Sequence, residues 1–391
     1  MKMKKIIAAA VMMMMAATTV CGTAMASEST EASGTFKIGG IGPLTGGAAI
    51  YGTAAMNGAQ IAVDEINALG GAIQFEFKAE DDVHDAETSV NAYNNLMDWG
   101  MNFLVGTVTT TPCLAVSTET NKDRVFEITP SASAASVVAG KDNVFQVCFT
   151  DPNQGIASAD YMAENLADSK IAVIYKNDDA YSQGIRDTFV SEAAAKGLNV
   201  VYEGTFTEDT STDFSVQLTA AQAAGADLVF LPIYYTPASL IFSQAKSMGY
   251  EPTWFGVDGM DGILTMDGFD TSLAEGVMLL TPFSADAEDE LTQNFVAKYT
   301  EMYGEVPNQF AADAYDAVYV IYDAIQAAGI TDSMSTEEMC EAMISVMTTI
   351  SVDGLTGTGM TWNAEGEVSK APMAVVIKDG TYVLPETTEA E

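Results

Sequence analysis

Positive charge is scarce in this chain. Only 16 Lys and Arg stand against 54 Asp and Glu, a net charge of −38, and so acidic a surface excludes nucleic acid and anionic lipid as partners. Histidine is scarcer still. With His84 alone there is no serine–histidine–acid set of the usual kind, and no G-x-S-x-G elbow appears. The C-x-x-C and H-E-x-x-H metal spacings are missing too. Carboxylates could pair as acid and base, but their sheer number makes that a weak signal. Four cysteines, three of them beyond residue 26, do not describe a disulfide scaffold, although one bridge stays open. No apolar run reaches the roughly 18 residues of a membrane span.

What is present begins with a leader. Lys2, Lys4 and Lys5 precede the apolar run 6–17, and Ala24-Met25-Ala26 is an A-x-A cleavage signal, so residues 1–26 read as a signal peptide and export is expected. Lipid anchoring through Cys21 is the alternative, with Val20 larger than such processing normally wants. Residues 27–35 read as a flexible lead and 386–391 as a frayed acidic tail.

The segment 36–69 is organised as strand, glycine-rich turn and helix: a short apolar strand ends in Gly42-Pro43, and Ala59, Ala62, Val63, Ile66 and Leu69 follow at helical spacing. The turn suits close approach of a ligand to backbone. A dinucleotide fingerprint starting at Gly40 fails because Thr45 stands where glycine is needed, and no phosphate-loop lysine follows. The strand–helix alternation continues almost to residue 257, which argues for parallel sheets with right-handed crossovers. Three helices then follow over 285–347, and the tail carries a hairpin at Asp379-Gly380. The fold class expected is α/β, with two Rossmann-like lobes of parallel sheet joined by a multi-strand hinge. The lobes would be 36–151 with 283–355, and 152–282 with 356–385. Residues 151–153 would be a crossing point, with a helix from 154.

Ligands of open parallel sheets sit beyond the strands' carboxyl ends. Those ends supply Tyr51, the threonine turn 107–111, the Ser131–Ser133 turn, Tyr181, Tyr234, Tyr235 and Asp258. Hydroxyls and helix N–H groups suit an anion, one carboxylate suits a cation, and the aromatics suit an apolar body. An α-amino acid asks for that set, because each end of a desolvated zwitterion needs its own partner. The blander readings are a hydroxyl helix cap for the threonines and ordinary packing for each tyrosine. The acids of 80–85 with His84 could suggest a metal, but Asp85 as a helix N-cap explains them without one.

The segments IGPLTGGAAIYG, NGAQIAVDEIN, DDVHD, ITPSAS, IAVIYKNDDAYSQG, DLVFLPIYY and WFGVDG occur in the order typical of one family. Over 36–378 the chain resembles the substrate-binding proteins of branched-chain amino acid ABC transporters, the leucine/isoleucine/valine-binding family of type 1 periplasmic binding proteins. The resemblance implies that Thr110 holds the ligand carboxylate, with Thr111 beside it in the same turn. It also implies that the Ser131 carbonyl accepts from the ammonium, that Ser133 touches both groups, and that Asp258 pairs with the ammonium. Tyr51, Tyr181 and Tyr234 would surround the ligand. It implies a periplasmic or cell-surface monomer serving a membrane permease, with no enzyme activity, cofactor or metal. Departures from the pattern are Pro112 after the threonines, Gln146 where a basic residue is frequent, an Asp rather than a Glu at 258, and an N-lobe disulfide lacking its first cysteine. Side-chain preference stays open. The alternatives are another small solute such as an amide, urea or short peptide, or a sensor ectodomain, with an extracellular hydrolase least favoured.

Overall fold

Short apolar strands that are buried on both faces can pair in parallel only if helices cover both sides of the sheet, and the chain does this twice. The computed structural model describes residues 31–384. The leader, Cys21 and the tail 386–391 lie outside the described residues.

The first sheet is laid down by β1 (Gly34–Gly42), α1 (Ala49–Ala68), β2 (Ile73–Asp81), α2 (Ala86–Trp99), β3 (Phe103–Gly106), α3 (Thr110–Asp123), β4 (Phe126–Thr129) and β5 (Val144–Gln146). Its order is β2-β1-β3-β4-β5, every pairing parallel. Phe36, Phe103 and Phe126 line up across it with ring centroids 5.9 and 6.4 Å apart. Asp85 caps α2 as the sequence predicts, its carboxylate accepting from Thr88 N at 2.8 Å.

The second sheet follows from α4 (Asp151–Asn165), β6 (Lys170–Lys176), α5 (Ala180–Lys196), β7 (Asn199–Phe206), α6 (Ser215–Ala223), β8 (Leu228–Leu231), α7 (Tyr235–Met248), β9 (Thr253–Gly256) and β10 (Met278–Thr281). After α8 (Glu290–Tyr303), α9 (Gln309–Ala328) and α10 (Thr336–Met347), the chain returns with β11 (Met373–Lys378) and β12 (Thr381–Val383). The order is β12-β11-β10-β9-β8-β6-β7, with β11 antiparallel to both neighbours. Asp379 and Gly380, at φ of 52° and 73°, form the tight turn of that last hairpin.

Three expectations need correction. Residues 33–35, expected in the flexible lead, are held in the fold: Gly34 opens β1, its N–H donating to the Ala72 carbonyl at 2.9 Å, and Ser33 N donates to the Ile330 carbonyl at 3.2 Å. Residues 151–153 are the first turn of α4 rather than a loop before it: Thr150 is the N-cap, its hydroxyl accepting from Asn153 N at 3.4 Å, and Pro152 sits where a missing N–H costs nothing. Residues 356–369, expected with the second lobe, hydrogen-bond to the first sheet. Trp362 Nε1 donates to the Gln146 carbonyl at 2.8 Å, and Gln146 N donates to the Gly366 carbonyl at 2.9 Å. The segment is then pinned by Lys370, buried against Asp313 at 2.7 Å. Among the described residues the chain passes between sheets after β5, after β10 and before β11. Cys113, Cys148 and Cys340 are buried and free. No helix of the described residues is long and apolar enough to cross a membrane.

The helical block packs on the first lobe, with α9 lying along α1 and also touching β3 and β4. Gly58 makes that contact close, since a Cβ there would stand 1.9 Å from the Ala311 carbonyl oxygen. Gly58→Val therefore forces α1 and α9 apart. Overpacking of this kind costs about 1–3 kcal/mol, to be read as a lowered midpoint in denaturant unfolding. Gly71→Ala, at a position where a Cβ meets nothing within 4 Å, should stay within about 0.5 kcal/mol of the parent.

Candidate ligand-binding cleft

Asp258 follows β9 and opens a single 3-10 turn, Asp258–Met260. Its carboxylate is buried at the carboxyl end of the second sheet, where Oδ1 accepts from Tyr181 Oη at 2.5 Å and from Gly259 N at 2.7 Å. Glycine at 259 is required, because a Cβ would lie 2.5 Å from the same Tyr181 hydroxyl. Gln154 of α4 accepts from Asp258 N at 3.2 Å, and Gln309 of α9 donates to the Asp258 carbonyl at 3.3 Å. Burial pushes the Asp258 carboxyl up to about 6, although the hydrogen bonds of Tyr181, Gln154 and Gly259 pull the other way. Neighbouring Asp151 is raised by burial as well. Its carboxylate approaches the Ser133 hydroxyl without a well-directed hydrogen bond.

Opposite stands the start of α3. Thr109 is its N-cap but makes no side-chain bond to the helix. Its hydroxyl is engaged by His84 Nδ1 at 2.9 Å instead. The hydroxyl-cap reading of this turn is thereby set aside, and the positive end of the helix faces the cleft. The Tyr234 phenol oxygen lies against the Thr110 N–H. Tyrosine hydroxyls thus meet both polar ends of the cleft, Tyr234 at the helix and Tyr181 at the acid.

The two sides touch across a cavity of about 10 Å³ lined from the first lobe by Tyr51, Val108, Thr109, Ser131 and Phe310, and from the second by Tyr181, Tyr234, Asp258 and Gly259. Tyr51 donates to the Gly259 carbonyl and accepts from Tyr235 N at 3.1 Å. Its ring lies 4.6 Å from Phe310 and 5.3 Å from Tyr234. Ser131 turns its hydroxyl to the Val108 carbonyl at 2.5 Å. Gln146, buried, donates to the carbonyls of Ala132 and Ala134 at 2.7 and 3.2 Å and so shapes that turn without a charge.

Of the sequence-predicted residues, Tyr51, Ser131, Tyr181, Tyr234 and Asp258 share this cavity, and Thr110 is buried at its edge. Ser133 is fully buried just behind, its carbonyl accepting from Asp151 N at 2.9 Å. Thr111 is exposed and belongs to no wall of the cavity. A helix turns about 100° per residue, so neighbours at 110 and 111 cannot face the same way. Phe310, Gly259 and Gln154 were missed. Phe310 had a usable signal, being an aromatic in the first turn of its helix after the N-cap Asn308, as Tyr181 and Tyr235 are in theirs.

The periplasmic binding protein family model matches residues 35–381. The chain is 32% identical over 303 residues to Leu/Ile/Val-binding protein homolog 3 of Brucella melitensis, covering 75% of this chain and 80% of that one. It is 30% identical over 319 residues to the leucine-, isoleucine-, valine-, threonine- and alanine-binding protein of Pseudomonas aeruginosa, covering 80% and 83%. Among solved structures, the branched-chain amino acid transporter substrate binding protein LivJ of Streptococcus pneumoniae, in complex with isoleucine, superposes with a TM-score of 0.80 at 29% identity, over 89% of this chain and 98% of that one. A leucine binding protein of Thermotoga maritima gives the same TM-score at 27% identity, over 90% and 97%. With its two α/β lobes meeting at this cleft, the chain belongs to the periplasmic binding protein family.

Proposed function

We propose that the protein is the exported solute-binding component of an ABC importer, capturing an amino acid with an apolar side chain between its lobes and delivering it to a membrane permease. It acts as a monomer and catalyses no reaction. The observation that carries this reading is the meeting of a buried carboxylate, Asp258, with the uncapped start of α3 across one aromatic-walled cavity. The ligand carboxylate takes the Thr110 N–H and hydroxyl, where the Tyr234 phenol now lies. The ammonium takes Asp258, with the Ser131 carbonyl as a neutral acceptor. Tyr51, Val108 and Phe310 give the side chain an apolar wall. Ser133 stands behind the two polar ends and steadies the turn. The names of the relatives support an amino acid as the solute.

Asp258→Asn keeps the shape and removes the opposing charge. Truncating one partner of a buried, hydrogen-bonded charge pair costs about 2–5 kcal/mol, so leucine affinity should fall at least about thirtyfold. Calorimetry on protein freed of carried-over solute reads this, and unchanged affinity would remove Asp258 from the ammonium site.

A pH dependence follows from the same group. Its carboxyl sits at about 6 in the folded chain, above the ordinary range, so the protonated form is favoured below that pH, whereas the ammonium binds the ionised form. Affinity should therefore be full above about 6 and weaken by up to tenfold per unit below it, with protons released on binding in that window. Titration in buffers of different ionisation enthalpy measures the release. In Asp258→Asn the slope should vanish, and a slope that persists there would point to Asp151 instead.

A further inference from the structure

Beyond Tyr234 the cleft opens into a second cavity of about 240 Å³, lined by His84 from the first lobe and by Lys176, Asp179, Ser182, Phe206 and Glu208 from the second. Tyr234 borders both this cavity and the small inner one. The rest of the partition is the His84–Thr109 hydrogen bond, with the His84 ring edge-on to Tyr234 at 5.7 Å. A ligand group that is to enter the outer cavity from the inner one has to pass this wall.

The chemistry of the outer cavity is specific. Ser182 is fully used, accepting from Lys176 N at 2.9 Å and donating to the Pro232 carbonyl at 2.6 Å. His84 is kept neutral, since burial and then the charge of Lys176 lower its pKa from the ordinary value. That leaves a cation between two acids. Lys176 Nζ stands 2.5 Å from Glu208 Oε2, with the lysine mostly buried and Glu208 at the rim. Asp179 holds the start of α5 through Tyr181 N at 3.2 Å and interacts electrostatically with the same lysine.

A purely apolar tail here would strip water from this charged group and return no hydrogen bond. A carboxylate tail would meet Lys176 but also two acids, and an ammonium tail would meet the acids but also Lys176. A neutral group with an acceptor at one end and a donor at the other satisfies both signs without breaking the ion pair. Room for several water molecules is room for such a group.

We propose that this outer cavity is a second subsite, which reads the end of a longer amino acid carrying a primary carboxamide or ureido group, the carbonyl on Lys176 and the N–H on Glu208. The proposal rests on the amino-acid reading of the inner site. It makes the solute range of this protein broader than branched aliphatic residues. To admit the tail Tyr234 has to leave this position and give up its contacts with the Tyr51, Tyr181 and His84 rings, and the same movement frees the Thr110 N–H for the ligand carboxylate.

The test is calorimetric titration of the full chain with leucine, glutamine, glutamate and lysine, using wild type, Lys176→Met and Glu208→Leu. Wild type should bind leucine and glutamine. Glutamine should weaken about tenfold or more in Lys176→Met, the size expected for losing a hydrogen bond to a charged group, and about three- to fivefold in Glu208→Leu, whose carboxylate is mostly exposed, with leucine shifted less than about twofold in both. Glu208 is exposed, so its variant decides the matter even if Lys176→Met does not fold. Leucine binding without glutamine binding, equal losses for both ligands, or tighter binding of lysine or glutamate than glutamine would each overturn the subsite. Binding of none of the four would overturn the amino-acid reading, and the subsite with it.

Discussion

A carboxylate buried between two lobes must be compensated, and the cleft is organised around how Asp258 is. Its oxygen takes the Tyr181 hydroxyl and the Gly259 N–H. Its backbone is held by Gln154 from α4 and by Gln309 from α9. These partners come from both lobes, so the acid lies on the seam between them. Even so, burial outweighs the hydrogen bonds and keeps the carboxyl near 6. A group left in that condition gains more from a fixed positive charge than a solvated one would.

The tyrosines give the cleft its second property. Tyr181 and Tyr234 place hydroxyls at Asp258 and at the start of α3, and Tyr51 ties the first lobe to the Gly259 carbonyl and to Tyr235 N. Thr236 adds another tie between the sides, its hydroxyl donating to the Gly47 carbonyl at 2.8 Å. Phenols are suited to this double duty, because the ring buries apolar area while the oxygen trades one partner for another.

Much of this was legible in the chain. Strand–helix alternation gave the parallel sheets, and residues at strand ends gave most of the cavity wall, because the crevice of an α/β sheet must lie there. Thr111 was misplaced because spacing along a turn does not say where the helix phase begins. Phe310 was missed since it arrives from a helix far from the strand ends in sequence, and Gln154 because its partner is the backbone N–H of Asp258 rather than a side chain. The course of 356–369 was misread for a related reason: its partners are the carbonyl and N–H of Gln146, and backbone partners leave no mark on side-chain pattern.

By itself the sequence determined the acidic surface, the shortage of nucleophile–base pairs, the alternation of elements and the kinds of polar group gathered at the strand ends, all of which follow from composition and local period. Only the tertiary structure decided that Thr109 gives its hydroxyl to His84 rather than to its helix, that Asp258 is buried deeply enough to sit near 6, and that Tyr234 separates an inner cavity from a charged outer one. Those depend on which groups from distant segments meet and on how much water is excluded between them, and neither is encoded in the order of neighbouring residues.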